Sequence, residues 1–567
     1  MSTSDAIKKY YDREWQRFQT DVKVFAQTYP EQAGALNLES PFGRDPNIDH
    51  LLQGCTYLSA QIHKRIDEET NTLPSQLAMQ LWPQMVENVP SMSIASFQLK
   101  SLMAQSQVIP AKTALLSQPV GEDKTVCRFE TLSDLPIYPF QIAGITVNHA
   151  LSSITLAFDN PFDRPVNVSS INVLPLFLAD DYARASELYY YLRHCHRTII
   201  KAGEIQRENV LRVSFPVDLP DQCLKNPYES GLLAHQILFD YFTFHQKYLF
   251  VILDGFSALT SMESTQFEIT LFFDQPMDED FSLTTQSFIM NACVIANRFA
   301  MECEPIKYDH SQYRYPVHQD RRDGDATQVL SIDAVQGIDS TSGRVTHYLP
   351  LHRCEDPHAP SYTMSREIRD DEKEQIYISC FMSQPTSEVI SVTASVCHGF
   401  YPKRFIAKRG LSLAKSNLAN ICRGTNVLVP TKMLKPPSQV VSQSFIRYFT
   451  MNLSSLLEVN VLKRLLHTLN WTTDPQHKRR IEGILDVSAV LKSQVSKGAF
   501  FHITEIQVQV HDSHFVSRTD IYLFGEILHA FFSAQAAMSQ MISMQMKTYP
   551  NEEVFEWKPI IGQKQVV

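Results

Sequence analysis

The chain has 567 residues, 44% hydrophobic and 20% charged, with a formal net charge of -10. Such a chain is ordinary for a globular protein but too long for one core, so roughly three or four domains are expected. The acidic balance excludes a primary nucleic-acid role, because a phosphate binder draws its affinity from concentrated lysine and arginine.

The opening stretch predicts a helix. Ile7, Tyr10, Tyr11, Trp15, Phe18, Val22, Phe25, Ala26 and Tyr29 recur at spacings of three and four, and Pro30 stops the run. Such an aromatic-rich stripe needs a large partner surface, either a second helix of the same chain or another subunit. Tyr11, Trp15 and Phe18 are therefore candidate partner contacts. A second helix is expected from Asp45-Pro46, with Asp45 as cap and Ile48, Leu51, Leu52, Cys55, Leu58, Ile62 and Ile66 on one face. A third is expected from Pro74 to Trp82-Pro83.

Beyond Pro90 the period changes to two. Ser93 to Leu99, Ser153 to Phe158, Val168 to Leu178 and Val210 to Val217 read as strands, interrupted by helices near Tyr182 to His194 and Leu232 to Tyr248. Strands follow at Leu249 to Leu253 and Phe267 to Phe273. No regular βαβ alternation is present, which argues against a doubly wound sheet. Residues 319–375 read as an exposed insertion or inter-domain region: turn chemistry at Gln319 to Asp325 and Asp356 to Pro360, a mixed-charge run at Arg366 to Glu374, and short strands such as Val329 to Val335. Strands resume at Ile376 to Met382 and Val389 to Val396. Phe445 to Leu469 reads as one long amphipathic helix, followed by strands at Ile503 to Val510 and Asp520 to Phe524. Ile527, Leu528, Phe531, Met538, Met541, Ile542 and Met546 read as a last helical stripe. Phe531, Met538 and Met541 are candidate contacts, since methionine suits adaptable surfaces as well as cores.

The resulting expectation is a multidomain α+β protein. It has a helical segment at 1–90, an α+β domain at 91–290, a β-rich middle domain at 291–430 and an α+β region at 431–567.

Signatures of catalysis are missing from the sequence: no phosphate loop, no G-x-G-x-x-G opening a helix, no G-x-S-x-G elbow and no H-E-x-x-H. Ten cysteines without a C-x-x-C pair read as buried hydrophobes of a reducing compartment, so the sequons at Asn167, Asn452 and Asn470 carry no weight. Met1 to Trp15 is too polar for a secretory leader, and no run of about eighteen uninterrupted apolar residues predicts a membrane span. The basic clusters Lys478-Arg479-Arg480 and Lys403-Arg404 to Lys408-Arg409 read as solvated faces or interface rims. His194-Cys195-His196 offers three ligand types, but neighbouring helical residues point apart, so a helix end is favoured over a tetrahedral site. His511 and His514 around Asp512 read as a surface turn. Asp320, Asp323 and Asp325 lack the closing glutamate of a calcium loop. The expectation is no enzyme, no metal and no cofactor.

Several blocks carry a family pattern. They are Tyr10-Tyr-Asp-Arg-Glu14 to Tyr29-Pro30, Asp45-Pro-Asn-Ile-Asp-His-Leu-Leu-Gln-Gly54 with Tyr57-Leu-Ser-Ala60 and Arg65-Ile-Asp67, Leu81-Trp-Pro83 and Val89-Pro-Ser-Met92. Leu238-Phe-Asp-Tyr-Phe242 to Leu253-Asp-Gly255, Asn297-Arg-Phe299, Glu304-Pro-Ile306, Tyr315-Pro-Val317, Phe445-Ile-Arg-Tyr448 to Asn452-Leu-Ser454 and Tyr522-Leu-Phe-Gly525 follow in order. Together, from about residue 10 to about 560, the chain resembles the TssF family of type VI secretion baseplate subunits. It departs from the pattern at Gln53, His245 and Phe445 and fits it poorly from Lys408 to Asn417. The resemblance implies a cytoplasmic wedge in which two TssF copies join one TssG. TssK would link that wedge to the inner-membrane complex, with TssE and the VgrG spike as further neighbours and no membrane insertion. A tail wedge of a phage or another contractile machine is the rival within the class. A metal-dependent hydrolase using His194, His196, His511 or His514 is the rival outside it.

Overall fold

The computed structural model describes residues 3–35, 50–63, 66, 82, 87–99, 106–218, 233–259, 262–319, 326–339, 342–356, 358–368, 374–382, 388–406, 410–414, 422–436, 451–496 and 499–564. The expected third helix apart from Trp82, the Asp45-Pro46 cap, the Asp320, Asp323 and Asp325 turn and residues 445–450 of the expected long helix lie outside them.

The periodic N-terminal stripe is a helix over Thr3–Thr28, and Pro30 opens a short second one, Pro30–Ala35. Residues 50–63 are helical and lie against the first helix, where Phe18, Val22, Ala26, Ala33 and Leu52 make a small cluster of their own.

Most of the remaining mass is sheet. A closed six-stranded barrel runs in the order Met92–Leu99, Ala292–Ala296, Arg128–Thr131, Ala114–Ser117, Gly410–Leu413 and Cys422–Asn426. Closure leaves the barrel no free edge, and Phe97, Leu115, Phe129, Ile295 and Leu411 fill it. A five-stranded antiparallel sheet orders Ile205–Glu208, Cys195–Ala202, Gln266–Phe273, Ser153–Asp159 and Gln141–Asn148, beside a four-stranded one containing Phe250–Asp254 and Val173–Leu178. The barrel takes strands from both sides of residue 290, Met92–Leu99, Ala114–Ser117 and Arg128–Thr131 before it and Ala292–Ala296, Gly410–Leu413 and Cys422–Asn426 after it.

The described residues of 319–375 are not an exposed insertion. Gln328–Asp339 pairs with Glu388–Cys397 along its length, and Ser361–Ile368 pairs with Glu374–Phe381, all within one eight-stranded sheet. Arg366, at the head of the mixed-charge run, donates to the Leu330 carbonyl, and its guanidinium lies 3.8 Å from Glu374. Charge that reads as solvent-facing in sequence is here folded back onto a sheet.

The C-terminal region departs most from expectation. Leu453–Leu456 and Val459–Leu469 are separate helices, because Asn452 caps the first and the backbone turns extended at Glu458. Asp520 to Phe524 is helix, part of Arg518–Gln535, and that helix stops before Met538. Met541–Tyr549 is a strand, so the methionine stripe has period two, with Ile542, Met544 and Met546 buried. Ala499–His511 pairs parallel with Met541–Tyr549. Parallel neighbours need a crossover, which Arg518–Gln535 supplies.

One core spans the first α+β region and the C-terminal one. Every residue of the central helix Leu233–Phe244 is buried, and Tyr182–Arg193 and Arg518–Gln535 pack in the same cluster with the C-terminal sheet. The family blocks acquire physical reasons here. Trp82 stands edge-on to Phe239, ring centres 5.8 Å apart, and anchors the N-terminal segment to the central helix. Asn297 donates to the Arg128 carbonyl at 2.6 Å and accepts from the His398 N–H at 2.7 Å, tying barrel to large sheet. Gly525 faces Trp557, whose ring would lie 2.3 Å from any Cβ there.

Gly255 has φ of 97°, and a Cβ would meet the Val210 carbonyl oxygen at 2.4 Å. Left-handed strain and a backbone clash add up, so Gly255→Ala is expected to lose about 2 kcal/mol or more, read as a lower urea midpoint.

Candidate functional site

Two kinds of feature could carry function: an apolar surface and a buried charged network.

The surface is at the N-terminus. Glu14 is buried by the neighbouring helix, with His63 Nδ1 at 3.2 Å and Ser59 Oγ donating at 3.3 Å. Tyr11 and Trp15 stack at 6.3 Å and, like Phe18, are half-buried. Phe25, Tyr29, Leu51, Leu58 and Ile62 stay exposed. The helix of residues 50–63 thus leaves part of this surface uncovered. Large apolar side chains massed on these two helices mark an association surface.

The C-terminal candidates do not form one face. Phe531 is fully buried in the main core, Met538 is 54% exposed in the turn after the helix, and Met541 is half-buried at a strand start. The physical reason is the end of the helix at Gln535, which breaks the period that aligned them.

The charged network sits where four helices meet. Asp520 accepts from Tyr182 Oη at 2.7 Å, Arg480 Nε at 3.1 Å and the Val516 N–H at 3.0 Å, with Arg480 Nη2 also 3.0 Å away. Arg480 Nη1 donates to His477 Nδ1 at 3.2 Å. Burial, followed by the nearby Tyr241 and Asp520, holds the Tyr182 phenol protonated. The expected solvated basic face is corrected here: Arg480 is 1% exposed, because the helix Pro475–Glu482 turns that side inward. A second knot joins Arg193 to Asp218 and Glu526, and Glu526 accepts from Trp557 Nε1 at 3.1 Å. In a third, Lys247 pairs with Asp240, which also accepts from Gln236 at 2.6 Å. The first two knots clamp elements distant in sequence, and the third ties the central helix to the turn that follows it.

The histidine candidates are held separately. The helix ends at Arg193, and Cys195 already begins a strand, so His194 and His196 do not share a helix face. His194 Nδ1 lies 2.8 Å from the Tyr190 carbonyl, and burial pushes the Cys195 thiol up to about 11. His511 and His514 rings are 5.5 Å apart, with His511 Nδ1 at 2.9 Å from Ser513 Oγ and His514 Nδ1 at 3.1 Å from the Arg479 carbonyl. Among the described residues no three His, Cys, Asp or Glu side chains are grouped to hold a metal ion, and no helix is long and apolar enough to cross a membrane.

The network was missed in sequence although a signal existed. Ser517-Arg-Thr-Asp520 is a helix-start pattern, and Ser517 Oγ does accept the Asp520 N–H at 3.1 Å.

Comparison with known proteins places the whole molecule. A family model described as type VI secretion system, TssF, matches residues 3–564. The type VI secretion system component TssF1 of Pseudomonas aeruginosa is 22% identical over 377 residues, a stretch covering 62% of this chain and 60% of that relative. A chain in a cryo-electron microscopy structure of the TssK-TssF-TssG baseplate subcomplex superimposes with a TM-score of 0.78 at 22% identity, over 90% of this chain and 98% of that one. A chain of a type VI baseplate complex gives a TM-score of 0.61 at 18% identity, over 99% and 100%.

Proposed function

This chain belongs to the TssF family of the type VI secretion system, and from that premise we propose that it is a structural subunit of the baseplate. In this reading two copies join one TssG as a wedge, TssK docks the wedge to the inner-membrane complex, and TssE and the VgrG spike are further neighbours. The assembly works in the cytoplasm and initiates sheath and tube growth. The carrying observation is the family match along nearly the whole chain, with the same fold in chains of baseplate structures. The exposed apolar face of the N-terminal helices supports it, since a scaffold subunit must keep such a surface for its partner.

The test is native mass after co-expression with the neighbouring genes. A species of two copies of this chain and one smaller partner is expected; a lone monomer in the presence of those partners would overturn the wedge. Leu58→Glu with Ile62→Glu, or Tyr11→Glu with Trp15→Glu, is expected to weaken assembly by about a hundredfold or more while leaving the circular dichroism of the isolated chain unchanged. Loss of the folded spectrum would instead make these residues core.

A further inference from the structure

The C-terminal sheet runs Ile484–Ser496, Ala499–His511, Met541–Tyr549 and Val554–Ile561, and its two edges differ. The Val554–Ile561 edge carries Lys558-Pro559, the residues that discourage strand addition. The Ile484–Ser496 edge is thirteen residues long, has no proline, and exposes Leu485 at 45%, Val490 at 43% and Leu491 at 78%. Among the described residues nothing pairs with its outer side.

The hairpin also outruns its sheet. The third strand begins at Met541, opposite Ile503, so among the described residues the rungs from Ser493–His502 to Ser496–Ala499 have no third strand beside them. A two-stranded ribbon is marginal in water and gains from another strand.

Charge along the edge is self-complementary. Asp486 and Lys492 lie three residues either side of Ala489, and both side chains are exposed. Two copies paired antiparallel about Ala489 would put Asp486 of each opposite Lys492 of the other, Val487 opposite Leu491, and Ser488 opposite Val490. Opposed residues share a face, so apolar meets apolar on one side while opposite charges meet on the other. Lys492 already bonds Glu505 at 2.6 Å within its chain, which fixes it on that face for a second carboxylate.

We propose that strand Ile484–Ser496 is the surface through which two copies of this chain join, as an isologous antiparallel extension of the C-terminal sheet. It rests on the wedge reading only for the presence of two copies. The partner is a second copy rather than a different strand, because the charge pattern fits its own reverse.

Two experiments on the full-length chain, alone and in the co-expressed complex, test it. Ala489→Cys would face itself across the two-fold at about 4.5–5.5 Å between Cα atoms, within disulfide reach. Asp486→Cys would lie about 20 Å from its copy. Mild oxidation is expected to trap a dimer of the first and not of the second, with the natural cysteines as the wild-type background. Asp486→Lys and Lys492→Asp are each expected to raise the dimer dissociation constant about tenfold or more, and an equimolar mixture of the two is expected to restore it. Absence of an Ala489→Cys dimer in a complex of proven two-to-one mass overturns the strand and leaves the wedge standing. A mixture no tighter than either variant overturns the register. A trapped dimer of the isolated chain, with only one copy in the complex, supports the strand and removes the wedge stoichiometry instead.

Discussion

Replacing Asp520 with alanine is expected to cost about 3–5 kcal/mol, most of the stability of the region it serves. The carboxylate is fully buried at the start of helix Arg518–Gln535, where it meets the Arg480 guanidinium through both oxygens, the Tyr182 hydroxyl and the Val516 N–H. Its removal strands a buried guanidinium whose remaining hydrogen-bond partner is a histidine ring. The cost of such a change comes from the partner left behind more than from the lost attraction. Arg480→Met combined with Asp520→Leu is therefore expected to recover most of the loss. The measurement is amide exchange across helix Arg518–Gln535 together with the urea midpoint. Single and double variants equally unstable would show that the pair is not the source.

This pair also marks how far the sequence could be read. The striped helix Thr3–Thr28 ends within a residue of its predicted stop, and the helix Tyr182–Arg193 and the strands with clean alternation, Gln266–Phe273 and Glu388–Cys397, stand within a residue of their predicted places. The family blocks were equally legible, because Trp82, Asn297 and Gly255 each answer a local steric or hydrogen-bonding demand. Two things were not. Helix Arg518–Gln535 is buried on nearly all sides, so its apolar period is washed out, and its first turn reads as a strand. Charge was the other failure. Arg480 and Arg366 sit in basic or mixed runs that look solvated, and their carboxylate partner or neighbour is brought near by folding. The exposed side of the N-terminal helices was half legible: the stripe showed a surface seeking cover, while the depth of cover from residues 50–63 needed coordinates. The barrel was illegible, since its six strands lie in four separated stretches of chain.

Stability is expected to fall steeply between pH 7 and pH 5. Burial, helped by Lys564 for His235 and by Arg128 for His398, pushes both rings down to about 4, and burial with Arg480 pushes His477 down to about 3. His245 and His529 are lowered as well, chiefly by burial. The unfolded chain takes up a proton at each near the ordinary 6.5 while the folded chain does not, so acid favours unfolding. The loss begins as pH drops through about 6.5 and saturates only below the folded values near 3 to 4. Linkage puts it at about 1 kcal/mol for each of the three between pH 7 and 5.5, and at about 3 kcal/mol each by pH 4. Urea midpoints taken from pH 8 to pH 5 should trace that slope. His398→Gln keeps a group able to accept the Asn297 side-chain donor, which lies 3.0 Å from His398 Nδ1, and removes one titration. Its profile should be shallower by about a third of the contribution from the three rings. A wild-type profile flat across this range would mean that the rings stay hydrated or protonated in the folded state. The three clusters they occupy, at Trp82, at Asn297 and at Arg480, would then be looser than their packing implies. These rings lie in the clusters that join the N-terminal segment to the central helix, the barrel to the large sheet, and the central helix to the basic one. Protonation would therefore loosen the seams between parts of the molecule before the sheets themselves, and amide exchange at pH 5.5 should rise first at those seams.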